Sequence, residues 1–254
     1  MRKDHIEKEW ARLIKAEESF LTRNTPDRAA GWQEKVAKFV PDKLEDTLNT
    51  AFYKAFELIF DKGTGIIEKT YRREKKEQDY KINAYAADVR NTRRSMRAFG
   101  RAADSSRGVN LAVSAAEGIG MGVLGLGIPD IPVFLGVLLK SIYEIALSYG
   151  FSYDTQEEQV FILKLIKTAL SHGEALAEGD RELNERVFGI SREEQIRRTS
   201  DALAKELLYL KFVQGIPVVG VVGGLSDVVY QKKISDYAAI KYKRRFLEQR
   251  REAE

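Results

Sequence analysis

The chain has 254 residues, 44% of them apolar and 31% charged, which is enough to bury the core of one large domain or two small ones. It contains no Cys, which excludes disulfides, thiolate metal sites and a Cys nucleophile, and fits a reducing compartment. The net charge is only +4 but unevenly spread: residues 61–110 carry 13 basic and 7 acidic side chains, residues 111–230 carry 10 and 16, and residues 231–254 carry 8 and 4.

Apolar residues recur at spacings of three and four along the whole chain, and alternation with period two is rare, so helices are expected throughout. The opening MRKDHIEKEWARLIK is charged with no apolar run, so no secretory leader is expected in it. Over 4–22, Ile6, Trp10, Leu13, Ile14, Glu17 and Phe20 mark one helix face. Asn24-Thr-Pro26 ends that helix, and residues 27–40 predict a short second one with Trp32, Val36 and Phe39 inward. Pro41 suits the first turn of the next helix, on which Leu44, Leu48, Phe52, Phe56 and Ile59 line up before Lys62-Gly63 closes it.

Residues 66–100 read as one long helix or two. The run YRREKKEQDYK mixes signs at i, i+4, for example Glu68 with Arg72, which suits a solvated helix better than a nucleic-acid stripe. RAADSSRG at 101–108 reads as a linker. Residues 133–149 form an apolar helix that Gly150 ends in the position favouring a left-handed cap. Asp154-Thr-Gln-Glu157 and Ser191-Arg-Glu-Glu194 read as capping boxes. They open helices to about Ser171 and Val213, the second with Ile196, Leu203, Leu207 and Leu210 inward. A basic helix over roughly 233–251 closes the chain.

Two Gly-rich stretches, GIGMGVLGLGIPDIP at 118–132 and GIPVVGVVGG at 215–224, carry the most information. The first contains a formal G-x-G-x-x-G from Gly120 to Gly125. A dinucleotide fold needs a strand before that motif and a helix beginning within it. Here NLAVSAAE upstream reads as helix, and Pro129 and Pro132 stop a long helix from starting at the glycines. Glu144, 19 residues past Gly125, falls within a helix rather than at a strand end. Residues 118–139 hold Asp130 as their one charge, but Pro-Asp-Ile-Pro divides them into two arms too short to span a bilayer. Gly118 and Gly122, like Gly220 and Gly224, are four apart, a spacing that lets helix backbones approach closely. Together with Gly125, Pro129 and Pro132 they are the candidate helix-packing or membrane-contact residues, with the basic stretches available to headgroups.

Candidate chemistry is sparse. His5 lies in a charged helix and reads as solvated; His172 precedes Gly173 at a helix C-terminus, where the dipole favours a cation. Two isolated histidines make no metal motif, and no G-x-S-x-G elbow is present, so no metal and no cofactor are expected. Glu117, Asp130, Glu144 and Asp227 stand in apolar surroundings, where a charge needs a partner. Asp130 can cap the helix that follows it, and Glu144 can pair with Lys140. The alternative is a polar cluster between the two Gly-bearing elements that binds a cation, a headgroup or a small ligand.

The segment AAEGIGMGVLGLGIPDIPVFLGVLLKSIYEIALSYGF resembles the signature region of the EcsC family. The Glu-Gly start, the Gly-rich run, the Pro-Asp-Ile-Pro turn and Glu-Ile-Ala before Tyr-Gly carry the resemblance. So does GIPVVGVVGGLSD followed by a basic aromatic tail. It covers roughly 110–245, and length and order suit the whole chain. The family is named for a bacterial protein encoded beside an ABC-transporter ATPase and its membrane subunit, and it has no accepted catalytic set. The resemblance therefore implies a cytoplasmic or inner-membrane-peripheral bacterial setting and a loose link to transport or secretion. The expected architecture is all-α: one multi-helix, bundle-like domain over 1–254. Charged N-terminal helices occupy 1–105, and a Gly/Pro-punctuated apolar hairpin core and basic C-terminal helix occupy 109–250. The expected function is that of a non-enzymatic accessory or interaction protein. Its partner would be a membrane surface or a membrane protein, not nucleic acid.

Overall fold

A computed structural model describes residues 2–24, 42–69, 71–90, 92–107, 130–213 and 225–253. Among these residues every regular element is helical: α1 (Arg2–Asn24), α2 (Asp42–Leu58), a π turn (Ile59–Gly63), α3 (Thr64–Glu68), α4 (Arg73–Arg90), α5 (Arg93–Arg107), α6 (Asp130–Ser148), α7 (Gln156–Leu170), α8 (Gly173–Glu185), α9 (Arg192–Val213) and α10 (Leu225–Glu252). The all-α expectation holds. The short helix expected over 27–40 and both Gly-rich stretches up to Pro129 and from Gly215 to Gly224 lie outside the described residues.

The centre of the molecule is α6. Ile131, Leu135, Leu138, Leu139, Ile142, Tyr143, Ile145 and Ala146 are all buried, and only one side, with Lys140, Ser141 and Glu144, is left half-buried. A helix of that kind belongs in a core. It packs against α2, α4, α5 and α10. Pro132 and Gly136 are buried on it too. Its end follows the sequence expectation: Gly150 has φ of 84°, the Phe151 amide donates to the Ala146 carbonyl and the Gly150 amide to that of Leu147. This is the paired bond pattern of a left-handed helix stop. A Cβ on Gly150 would come within 2.3 Å of the Tyr80 ring, so the position excludes a side chain on two grounds.

α7, α9 and α10 form a second layer. The Thr199 hydroxyl donates to the Leu163 carbonyl, and α9 also packs along α2. α1 lies on α10, where Phe20 stacks on Tyr237 at 4.7 Å. The buried apolar side chains from Ile6 to Leu247 make one continuous cluster.

Several sequence readings need correction. The α7 cap is Thr155, whose hydroxyl accepts from the Glu158 amide; Asp154 is drawn away by Arg73, so the box is one residue later than expected. Ser191 caps α9 as expected. Residues 101–107 are helix, not linker, because Ala103 is fully buried and ties the C-terminal half of α5 to the core. The stretch 66–100 is broken twice. Glu68 pairs across the first break with Arg73 at 2.7 Å, not with Arg72. After the second break, Thr92 and Ser95 exchange hydrogen bonds at the start of α5.

Candidate functional site

The long basic helix α10 reads in sequence as a basic stretch available to headgroups, yet much of its charge is buried and paired. Lys241 is 1% exposed. Its ammonium donates to Asn184 at 2.7 Å and meets Asp180 at 2.5 Å and Glu17 of α1. The Tyr237 hydroxyl also donates to Asp180, at 2.6 Å. One turn on, Arg245 makes a bidentate pair with Glu158 of α7, at 2.6 and 2.9 Å, while lying between the rings of Phe151 and Phe161. Burial pushes the Tyr237 and Tyr242 phenols well above their usual value, with Asp180 and Glu158 adding to it. These groups fasten helices together, and Glu158 and Arg245 also line a cavity of about 530 Å³ with Phe161, Phe188 and Arg192.

A third network lies around Arg73, which bonds Glu68, Glu77 at 2.9 Å and Asp154 at 2.5 Å. The hydrogen bond from Arg73 holds the Asp154 carboxyl below its usual 3.8, against the opposing effect of burial. Tyr153 donates to Glu68 and stacks on Tyr143 at 4.0 Å, and burial raises both phenols.

Open space appears between α1, α5 and α10, where a groove of about 410 Å³ runs along the surface. Glu9 of α1 sits at its base, buried, and gathers three cations: Lys243 at 2.9 Å, Arg97 at 3.5 Å and Arg12. Burial alone would raise the Glu9 carboxyl, but Lys243 and Arg12 outweigh it and hold the group below 4.5. Arg101 and Asp104 complete the charged rim, and Met96, Tyr149, Phe246 and Leu247 give the groove an apolar floor. Gly100 lies in the wall; a Cβ there would meet only the Tyr149 hydroxyl, at 3.9 Å.

Two rows of side chains face solvent on the consecutive helices α4 and α5. On α4, Ile82, Tyr85 and Val89 are 64%, 72% and 63% exposed, at i, i+3 and i+7. On α5, Arg94, Arg97 and Arg101 are exposed at the same spacing, while Met96, Phe99 and Ala103 point into the core. The sequence reading passed over both rows, because within 66–100 it weighed only the mixed-charge run YRREKKEQDYK, and it took 101–108 as a linker. The three-and-four spacing of Ile82, Tyr85 and Val89 was the available signal.

Glu117, Gly118, Gly122, Gly125, Pro129, Gly220 and Gly224 lie outside the described residues. Asp130 and Asp227 fall in the first turns of α6 and α10, and Glu144 is half-buried on α6. Fourteen residues of helix separate Asp130 from Glu144, a rise of about 21 Å that keeps these two from meeting on one ion. Among the described residues, no ion pair joins Glu144 to Lys140 and no group of His, Asp and Glu side chains could hold a metal. His5 is half-buried, with Nδ1 lacking a hydrogen-bond partner, rather than solvated. His172 is the N-cap of α8 rather than the end of a helix, and its Nδ1 lies 3.8 Å from Glu206. Burial raises the Glu206 carboxyl above 4.5, only partly offset by a 2.7 Å hydrogen bond from Tyr230 and the charge of Lys233.

Among the described residues, no helix is long and apolar enough to cross a membrane. Protein EcsC of Bacillus subtilis (strain 168) is 36% identical over 61 residues, a stretch spanning about a quarter of each chain: 23% of this one and 26% of the relative. No solved structure matches. The model of the EcsC protein family matches residues 6–247, from the start of α1 to near the end of α10, and the chain therefore belongs to that family.

Proposed function

We propose that the chain is a non-enzymatic accessory protein that works peripherally on an anionic membrane surface, at the inner face of a bacterial membrane. The observation that carries this reading is the pair of rows on α4 and α5. An apolar stripe of Ile82, Tyr85 and Val89 precedes a row of Arg94, Arg97 and Arg101 on the very next helix. Exposed apolar side chains at regular spacing need a partner surface. Apolar area entering the acyl boundary, beside arginines that meet headgroup phosphates, is how an interfacial helix holds to lipid. Each basic residue near an anionic surface contributes about 1 kcal/mol. The burial of α6 removes its own apolar face from consideration as the lipid contact. The link to ABC transport or secretion is part of the same proposal, and rests on the setting of the family's namesake alone.

Liposome flotation tests it. The wild-type protein is expected to float with vesicles rich in anionic phospholipid, to be released by salt, and to stay below with neutral vesicles. The triple variant Ile82→Ser, Tyr85→Ser, Val89→Ser should remain folded and stop floating. A wild-type protein that stays in the soluble fraction with both kinds of vesicle ends the lipid reading.

A further inference from the structure

We propose that the groove between α1, α5 and α10 is a binding site for a phosphate monoester carried on an apolar body, the chemistry of a phosphatidic-acid headgroup. The inference deepens the membrane reading and rests on it. The groove is lined by four cations, Arg12, Arg97, Arg101 and Lys243, against two carboxylates, Glu9 and Asp104. That leaves a surplus of two positive charges. A phosphate monoester carries about −1.5 to −2 near neutral pH, whereas a diester carries one negative charge, so the surplus matches the monoester. Guanidinium groups present forked donors that suit phosphate oxygens, and three of the four cations are arginines.

Glu9 fixes the arrangement. Its buried carboxylate holds Lys243, Arg97 and Arg12 around one point, so the cations are assembled before any ligand arrives. A single carboxylate cannot neutralise three cations. The floor supplies the second half of the recognition. Met96, Tyr149, Phe246 and Leu247 offer apolar surface directly beneath the charged rim. Inorganic phosphate would leave that floor uncovered; an ester with the first carbons of an acyl or alkyl chain would cover it. Arg97 and Arg101 also belong to the exposed row of α5, so a ligand in the groove would lie at the level of the headgroups when that row meets a membrane.

The test is isothermal titration of the full chain with three soluble probes: dihexanoyl phosphatidic acid below its micelle concentration, dihexanoyl phosphatidylcholine and inorganic phosphate. The phosphatidic acid is expected to bind at least tenfold more tightly than either other probe. Arg97→Gln with Arg101→Gln should weaken it at least tenfold, while Arg198→Gln, an exposed arginine on α9, should not. Gly100→Leu, which projects into the open groove, should block binding by a different route. Equal affinity for the phosphatidylcholine overturns the headgroup assignment, and equal affinity for inorganic phosphate overturns the role of the floor. Flotation without binding of the soluble phosphatidic acid removes the groove site and leaves the membrane reading intact. Binding without flotation removes the membrane reading and leaves a site for soluble phosphate esters.

Discussion

Lys241 shows most clearly how single residues hold this molecule together. An ammonium removed from water is costly unless it is fully paired, and here Glu17, Asp180 and Asn184 surround it. Lys241→Met would leave the buried Asp180 without its cation and Glu17 with Arg244 alone, at 3.5 Å. We expect a loss of about 3–5 kcal/mol, read as a lower midpoint in chemical denaturation, with partial recovery when Glu17→Gln and Asp180→Asn are added. Half of this network was legible in the sequence: Glu17 lies on the apolar face of α1, where a carboxylate must find a partner. Lys241 was not legible, because KYKRRF has the composition of a solvated run and only the tertiary packing of α1 and α8 buries it. Two glycines give a second residue-scale prediction, of opposite signs. A Cβ on Gly179 would lie 2.5 Å from the buried Thr168 hydroxyl, so Gly179→Ala should cost about 1–3 kcal/mol. Gly100, in a helix with open space beside it, should gain up to about 1 kcal/mol as Ala. Thermal melts of the two variants should shift in opposite directions.

At the scale of elements, the sequence was read well where one signal dominated. α6 is predominantly apolar and stops at a glycine, and both features appear in the fold. It was read poorly where weak signals compete. Ser and Gly in RAADSSRG suggested a linker, but burial of Ala103 outweighs their turn preference. The Thr92–Ser95 cap was hidden because neither residue flanks an obvious apolar run. At the start of α7, Thr155→Ala should cost about 1 kcal/mol by leaving the Glu158 amide without its acceptor. The α1–α10 contact should also show in the response to acid. The folded protein holds Glu9 below 4.5, so protonating it favours the unfolded chain. Its contribution is fully present above that ordinary value and is lost as pH falls through the lowered one. Asp154, held below 3.8 by Arg73, acts in the same direction but is half exposed and contributes less. Denaturation measured from pH 6 downward should therefore show a shallower decline in Glu9→Gln than in the wild type.

Over the whole molecule, the uneven charge seen in the sequence takes on a different meaning in three dimensions. The basic C-terminal stretch is largely spent on α1, α7 and α8, through Lys241, Lys243 and Arg245. The basic stretch at 61–110 keeps Arg94, Arg97 and Arg101 outward on α5, the helix that follows the exposed apolar residues of α4. Sequence alone could not divide the two, since each is a charged helix and only packing decides which charges are consumed. The central claim is that this α4–α5 face meets lipid. The absence of Cys allows a clean probe: Tyr85→Cys carries one environment-sensitive fluorophore, and Arg197→Cys, exposed on α9, carries the same label as a reference. On anionic vesicles the label at 85 is expected to shift to the blue and to return on adding salt, while that at 197 stays unchanged. A label at 85 that keeps its aqueous spectrum in the presence of those vesicles would contradict the account.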